Sequence, residues 1–205
     1  AVKAAGGVLV LDAVQAAGRI PLDISVGYAD YLILSSHKIG GPQGAGAIVA
    51  AADLMMPAPL VLGGGQEKGH RGGTENLAAI AGFGAAAKAA RAGLAEVGKV
   101  RDRRDGIEAT ILELVPDAEI FGRRAERLAN TSFFAIPGMK AETAQIAFDL
   151  AGVALSAGSA CSSGRVGPSH VLEAMGHEDA GALRVSIGAA TDAEDIGLFR
   201  QALAR

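Results

Sequence analysis

The sequence is poor in cysteine, because Cys161 is the only one among its 205 residues. A single thiol excludes an internal disulfide, and a chain without disulfides fits a reducing compartment. The first residues lead directly towards an apolar strand, so we expect no secretory leader. These features predict a cytoplasmic protein.

The sequence also lacks an excess of charge and any long apolar run. Its formal net charge is −3, and 20% of its residues are charged, with no marked stretch of lysine and arginine. We therefore expect neither nucleic acid nor an anionic membrane as a partner. The apolar runs are far too short to cross a bilayer. His170 and His177 have no metal-ligand spacing with Cys161, so the sequence predicts no metal site.

Half of the residues are hydrophobic, which is enough for one large domain or two small ones. Short apolar runs alternate with helical and loop segments, and this pattern predicts an α/β fold. In the first part we expect strands of a parallel sheet, buried on both faces, at residues 7–11, 31–34 and 45–50. Helices are expected next, at about residues 75–94 and 97–114, and Pro116 ends the second.

A second unit is predicted after a boundary near residues 92–98, which divides the chain into domains at 1–95 and 96–205. Its last helix has apolar side chains at helical spacing, and Thr191 is the expected N-cap. The expected strands are at residues 131–136, 152–155 and 182–187, and the expected helices are at 142–150 and 192–203.

Lys38 directly follows an apolar strand and precedes the glycine-rich stretch 40–46. Such a lysine lies at the edge of a cleft, and its amine condenses with an aldehyde when the surroundings favour the uncharged form. The alternative is an exposed lysine in a turn. The glycine stretch lacks the spacing of a dinucleotide loop. Ser35 and Lys38 match the S-x-x-K pattern of serine acyl-enzymes, but the tripeptides S-D-N and K-T-G do not occur.

Further polar residues occur at the ends of predicted strands and before a predicted helix. Asp12 ends the first strand, where a buried carboxylate needs a cation; the alternative is a helix N-cap. Ser35 and His37 share a face if their segment is extended, although His37 could also have ordinary partners near a turn. Thr74 lies in a glycine-rich loop before a helix, a position suited to phosphate binding or to an ordinary N-cap.

Cys161 and Arg184 are candidates in the second unit. Residues 157–165 are too polar for a core, so the thiol of Cys161 is a candidate nucleophile, with Arg165 favouring its thiolate. Arg184 lies within an apolar strand, where an unpaired charge is expensive. Its planar guanidinium suits a substrate carboxylate, and the alternative is a structural ion pair.

Four motifs occur in the order found in the class V aminotransferase family. They are segment 9–15 (LVLDAVQ), the lysine segment 34–44 (LSSHKIGGPQG), the loop 63–76 (GGGQEKGHRGGTEN) and the cysteine loop 156–163 (SAGSACSS). Together they extend over nearly the whole chain. The sequence resembles this family, in particular its cysteine desulfurases of the long-loop type.

The resemblance implies part of a pyridoxal phosphate transferase-like large domain with a mainly parallel sheet at residues 1–95. It also implies a smaller C-terminal α/β domain at 96–205, which carries the cysteine loop. The implied cofactor is pyridoxal 5'-phosphate, with Lys38 as its Schiff-base lysine. The other implied cofactor-binding residues are Asp12 at the ring nitrogen, Gln15 at the phenolic oxygen, Ser35 and His37 at the phosphate, and Thr74 at the phosphate of the neighbouring subunit.

The activity implied by the resemblance is conversion of L-cysteine to L-alanine. Lys38, His37 and Cys161 are the implied catalytic residues, Cys161 takes up the sulfur as a persulfide, and Arg184 binds the substrate carboxylate. The implied partners are a second copy of the chain in a homodimer and an iron–sulfur scaffold or another sulfur-acceptor protein.

Members of the resembled family are roughly twice as long, in keeping with two-domain α/β enzymes. The resemblance therefore implies a C-terminal portion of a longer protein, inactive by itself. Two alternatives stay open. One is another pyridoxal phosphate-dependent aminotransferase or lyase of class V, and the other is an inactive fragment that serves as an interaction module.

Overall fold

The computed structural model describes residues 1–52, 56–157, 169–177 and 181–205. The chain divides into two compact units, Ala1–Ala95 and Glu96–Arg205. Each unit combines a sheet with helices, so the predicted α/β class is confirmed. Among the described residues, no helix is both long and apolar enough to span a membrane.

The first unit contains a small sheet in the order β1-β2-β3, followed by one long helix. Strands β1 and β2 pair in parallel, as expected, whereas β3 runs antiparallel to β2. The carboxylate of Asp30 accepts hydrogen bonds from the backbone N–H of Leu9 and from Nζ of Lys3, which fixes the entry into β1. The elements are β1 (Val10–Asp12), β2 (Tyr31–Ser35), β3 (Gly46–Ala50) and α1 (Leu77–Gly93).

One face of this sheet is packed and the other is exposed. Leu32 and Ala29 belong to a small apolar core on the packed face. The opposite face presents Val10, Ile33 and Ile48, which are 51%, 39% and 52% exposed. The expectation of strands buried on both faces is therefore wrong for this chain, because side chains alternate between faces and only one face has apolar packing.

The second unit is built on a fully antiparallel sheet in the order β4-β5-β7-β6. Phe134 of β5 and Leu183 of β7 are completely buried against the helices, together with Ile111 of the first helix in this unit. The elements are α2 (Val97–Leu114), β4 (Glu119–Ile120), β5 (Thr131–Ala135), α3 (Ala141–Leu150), β6 (Ser156–Ala157), α4 (His170–Ala174), β7 (Ala182–Ser186) and α5 (Ala193–Leu203).

Two local expectations in this unit are wrong. Residues 153–155 are not a strand, and the ladder with β7 is formed by Ser156–Ala157. The N-cap of α5 is Asp192, whose carboxylate accepts the N–H groups of Glu194 and Asp195 in a capping box. Thr191 instead accepts a hydrogen bond from the N–H of Gly188. A carboxylate with two backbone donors is the better cap, because it also matches the helix dipole.

A buried charged cluster, which the sequence did not reveal, joins α2 to β5. Both Nη atoms of Arg127 donate to the carboxylate of Glu108, at 2.7 and 3.1 Å, and Oγ of Ser132 donates to it at 2.7 Å. Glu108 and Ser132 are 4% and 0% exposed. Burial raises the pKa of Glu108, but the hydrogen bonds from Arg127 and Ser132 outweigh it, so the pKa lies below its ordinary value.

Candidate active site

Asp12 and the turn that holds Lys38 lie at the same edge of the first sheet. Strands β1 and β2 are parallel, with Asp12 paired to Ile33, so both strands end at this edge. Asp12 is the last residue of β1, and Ser35 is the last residue of β2. The carboxyl ends of parallel strands are where ligands bind in open α/β sheets. The first sheet thus places Asp12, Ser35, His37 and Lys38 at the same end of the sheet.

Lys38 is exposed in a short 3₁₀ helix, Ser36–Ile39, that follows β2 directly. This agrees with an exposed lysine in a turn, the alternative from the sequence. An exposed primary amine at the end of a strand is accessible to an aldehyde, so the position also allows Schiff-base chemistry. Among the described residues, no carboxylate forms a salt bridge with its ammonium group.

Helix α1 supports this turn through a very close backbone approach. A Cβ at Gly41 would lie 2.3 Å from Oγ of Ser36 and 3.1 Å from Cβ of Ala86 in α1. A Cβ at Gly82 in the same helix would lie 2.7 Å from Cγ of Pro42. Glycine at these positions lets the helix pack directly against the end of the turn. Gly41 and Gly82 therefore allow the close packing of α1 against the turn of Lys38.

Arg19 connects the two turns at this edge, and the sequence did not identify it. Its Nη1 donates to the carbonyl oxygen of Gln15 at 2.9 Å, and its Nη2 donates to the carbonyl oxygen of Lys38 at 3.2 Å. Burial lowers the pKa of Arg19 from its ordinary value. A single guanidinium thus fixes the backbone after β1 to the backbone after β2, which its fork of donors allows.

Ser35 and His37 are in direct contact. The distance from Oγ of Ser35 to Nδ1 of His37 is 2.9 Å. The expectation that they share a face is confirmed, although the stated reason is wrong. The chain is not extended here, because it turns into the 3₁₀ helix after Ser35. The contact leaves the imidazole exposed at the same edge as Lys38.

Asp12 is exposed, so the expectation of a buried carboxylate is wrong for the described chain. Its Oδ1 accepts a hydrogen bond from the backbone N–H of Val14 at 2.9 Å, which caps the turn after β1. Residues 14–19 form turns and no α-helix, so this is a turn cap and not a helix N-cap. Gln15 is also exposed, one residue beyond Val14. Both side chains are accessible to a ligand.

Thr74 lies in the loop before α1 and is exposed. It is not the N-cap, because the side chain of Asn76 accepts the N–H of Ala79 at 3.2 Å and the helix begins at Leu77. Arg71 organises the loop by donating from Nη1 to the carbonyl oxygens of Gly72 and Gly73. The hydroxyl of Thr74 is therefore not required to cap the helix.

Arg184 lies in the middle of β7 in the second unit, paired with Phe133 of β5 and Ser156 of β6. Its Nη2 donates to Oγ of Ser156 at 3.1 Å. Its Nε is buried and has no hydrogen-bond partner among the described residues. Within the described part of the chain no acidic group forms an ion pair with it, which argues against the structural ion pair.

Cys161 and Arg165 lie outside the described residues, as does the whole stretch 158–168. Strand β6 ends at Ala157, and the described chain resumes at Ser169. The role of Cys161 therefore stays a prediction from the sequence. In the part of the chain that the structure describes, no three His, Cys, Asp or Glu side chains form a cluster that could hold a metal ion.

The chain belongs to the class V aminotransferase family, whose model matches residues 1–199. A protein named cysteine desulfurase from Cereibacter sphaeroides is 40% identical over 97% of this chain and 51% of its own length. Another from Frankia sp. (strain EuIK1) is 41% identical over 100% of this chain and 50% of its own length. The chain thus spans about half the length of the curated relatives it matches.

Solved structures show the same fold. A NifS-like protein from Rickettsia africae superposes with a TM-score of 0.86 at 34% identity, over 98% of this chain and 54% of that chain. The cysteine desulfurase CsdA from Escherichia coli superposes with a TM-score of 0.80 at 22% identity, over 98% of this chain and 52% of that chain. The second comparison supports the fold alone.

Proposed function

We propose that the protein is a pyridoxal phosphate-dependent cysteine desulfurase. The observation that carries the proposal is that Lys38, the Ser35–His37 pair and Asp12 all lie at the carboxyl ends of the parallel strands β1 and β2. The family to which the chain belongs implies dependence on this cofactor. The relatives named cysteine desulfurase, about 40% identical, support the choice of reaction within the family.

The side chains at this edge fit the chemical groups of pyridoxal phosphate. An amine suits its aldehyde, a carboxylate suits its protonated ring nitrogen, and a hydroxyl–imidazole pair suits its phosphate. In the proposal these are Lys38, Asp12 and the Ser35–His37 pair, and Gln15 donates to the phenolic oxygen. Four of these five side chains are exposed and that of Ser35 is partly exposed, which supports a site open to a ligand. When bound, the cofactor supplies an electron sink for the substrate.

Arg19 has a supporting part in this proposal. By donating to the carbonyl oxygens of Gln15 and Lys38, it sets the distance between the turn of Asp12 and the turn of Lys38. A cofactor that contacts both turns binds more tightly when this distance is fixed beforehand. If the turns were mobile, part of the binding energy would be spent on ordering them.

In the proposed reaction Lys38 and Cys161 divide the chemistry. Nζ of Lys38 removes the α-proton of L-cysteine and returns protons to the product. The Cys161 thiolate forms a bond to the substrate sulfur, and the carbon–sulfur bond breaks. Its electron pair stays with the carbon, which takes a proton and becomes the methyl group of alanine. Cys161 retains the sulfur as a persulfide, so no external oxidant or reductant is needed.

Arg184 binds the α-carboxylate of the substrate in this proposal. Support comes from its partly buried guanidinium, whose Nε has no partner among the described residues. A buried cation without a counter-charge is costly, and a bidentate carboxylate offsets that cost.

His37 holds the phosphate in this proposal and thereby orients the cofactor next to Lys38.

We further propose that the protein acts as a homodimer, with Thr74 reaching the phosphate of the neighbouring site. Exposed aliphatic side chains flank its loop and support an interface there, because Leu60, Leu62 and Leu77 are 96%, 79% and 74% exposed. The backbone N–H of Gly72 donates to the carbonyl oxygen of Val61, which holds the two parts of the loop together.

After the reaction, the persulfide sulfur on Cys161 passes in this proposal to an iron–sulfur scaffold or another acceptor protein in the cytoplasm.

The test is incubation of the full-length protein with pyridoxal phosphate and L-cysteine, followed by measurement of alanine and of the mass of the Cys161 peptide. We expect alanine and a gain of one sulfur atom on Cys161. Cys161→Ser should abolish both, and added acceptor thiol should remove the sulfur from the wild-type protein. A Cys161→Ser variant that retains full activity would identify a class V aminotransferase or lyase instead, and no turnover in any form would favour the interaction module.

A further inference from the structure

Arg184 and Ser156 form a cross-strand pair on one face of the second sheet. They are directly opposite each other in the β6–β7 ladder. Leu183 and Val185, the neighbours of Arg184 along β7, are 0% and 6% exposed and belong to the apolar core. Because side chains alternate across a strand, the guanidinium of Arg184 lies on the opposite face from that core.

The hydroxyl of Ser156 is the hydrogen-bond acceptor for this guanidinium within the described residues. The distance from Nη2 to Oγ is 3.1 Å, while Nε is buried without a partner. An arginine has five N–H donors in a fixed plane, so an acceptor at one of them determines how the plane is turned. The remaining donors are then oriented for a second, planar acceptor.

We propose that Ser156 is a positioning residue for substrate recognition, and this rests on the proposed role of Arg184 as the carboxylate-binding residue. By accepting one N–H of Arg184, the Ser156 hydroxyl holds the guanidinium plane in the orientation that a substrate carboxylate meets. Loss of the Ser156 hydroxyl leaves the positive charge of Arg184 in place, but the guanidinium plane is no longer held in one orientation. Ser156 therefore affects how well a carboxylate is bound, and the chemical step is left intact.

Two isosteric variants separate the hydroxyl from the size of the side chain. Ser156→Thr keeps the hydroxyl and Ser156→Val replaces it with a methyl group, and both β-branched residues suit a strand. Ser186→Ala is a matched control, because Ser186 lies on the same strand and the same face but is exposed and has no hydrogen bond to Arg184 among the described residues. Arg184→Lys tests the charge without the planar fork.

The measurement has two parts. The first measures the affinity of each full-length variant, with pyridoxal phosphate, for L-alanine and for L-alaninamide, which lacks the carboxylate, by titration calorimetry; the Nε–H resonance of Arg184 is followed by NMR in the variants that keep this arginine. The second determines KM and kcat for L-cysteine. We expect Ser156→Val to raise KM and weaken alanine binding about tenfold with kcat nearly unchanged, as for one lost charge-assisted hydrogen bond. Ser156→Thr and Ser186→Ala should resemble the wild type.

The outcomes distinguish this inference from the function on which it rests. Equal KM and equal alanine binding for Ser156→Val and Ser156→Thr would overturn the role of Ser156 while Arg184 keeps its own. If Arg184→Lys also binds alanine and alaninamide like the wild type, the carboxylate site itself is wrong and the inference fails with it. Carboxylate-selective binding that depends on the hydroxyl, without release of alanine from cysteine, would uphold the inference and refute the desulfurase reaction.

Discussion

Arg19 donates a hydrogen bond from Nη2 to the carbonyl oxygen of Lys38, although the two residues lie on different turns. The same guanidinium donates from Nη1 to the carbonyl oxygen of Gln15. One side chain thus joins the backbone of the two turns on which the proposed cofactor site is built. Neither bond involves the side chains proposed to contact the cofactor, so the effect of Arg19 can be separated from direct binding.

Arg19→Ala should loosen both turns at once. We expect a loss of about 1 kcal/mol in the free energy of unfolding, as for hydrogen bonds of a partly exposed group. We also expect slower covalent capture of pyridoxal phosphate at Lys38 when borohydride is added. Arg91→Ala is the control, because Arg91 is exposed on α1 in the same unit. Capture at the wild-type rate in Arg19→Ala would show that the hydrogen bonds of Arg19 to the two turns do not affect the proposed cofactor site.

Lys38→Ala should abolish covalent capture of pyridoxal phosphate by borohydride reduction. Because the reduced bond is permanent, the assay detects even weak binding, and peptide mass analysis identifies the modified lysine. The exposed Lys88 of α1 provides the control, since Lys88→Ala should retain capture. Cofactor attached to another lysine in Lys38→Ala, at the wild-type level, would show that the Schiff-base assignment is wrong.

Glu108→Gln should destabilise the second unit at neutral pH by about 3 kcal/mol, because it removes a buried carboxylate and leaves the partly buried Arg127 without its counter-charge. The folded pKa of Glu108 lies below the ordinary value of 4.5. Its contribution is therefore present above pH 4.5 and is lost as the pH falls through the folded pKa. Urea unfolding of both proteins from pH 7 downwards should show the difference shrinking in that acidic range.

Glu113→Gln is the matched control for this measurement. Glu113 also binds an arginine, Arg200, but both side chains are largely exposed, at 59% and 45%. Exposed ion pairs contribute little, so this variant should unfold almost like the wild type at every pH. A Glu108→Gln variant that is equally unaffected would mean that the buried cluster does not stabilise the unit.

Mixing two inactive variants should restore activity if Thr74 serves the site of the neighbouring subunit. Lys38→Ala and Thr74→Ala each damage every site of their own homodimer. A mixed dimer places both substitutions in one site and leaves the other intact, so co-expression should recover part of the wild-type turnover. Sedimentation should show a dimer in each case. Failure of the mixture, with dimers present, would place Thr74 at the site of its own chain or outside any site.

Local sequence patterns predicted most elements of the fold. A charged stretch that ends before Pro116 predicted α2, which the structure has at Val97–Leu114, and an alanine-rich stretch predicted α1, which it has at Leu77–Gly93. These segments form through contacts between near neighbours in the chain. Helix caps and the bounds of short strands were less well predicted. The N-cap of α5 is Asp192 and β6 begins at Ser156, and in both places adjacent residues of similar character could occupy the position.

The order of the motifs in the sequence by itself determined the family, which the match over residues 1–199 confirms, and it identified the residues for which roles are proposed. Only the tertiary structure decided which of them lie together. Parallel pairing of β1 with β2 brings Asp12 to the edge where Lys38 follows, and β6–β7 pairing places Ser156 against Arg184. The contacts of Arg19 and the burial of Glu108 also depend on groups far apart in the sequence. Such contacts arise from chain packing, which a local pattern of residues does not encode.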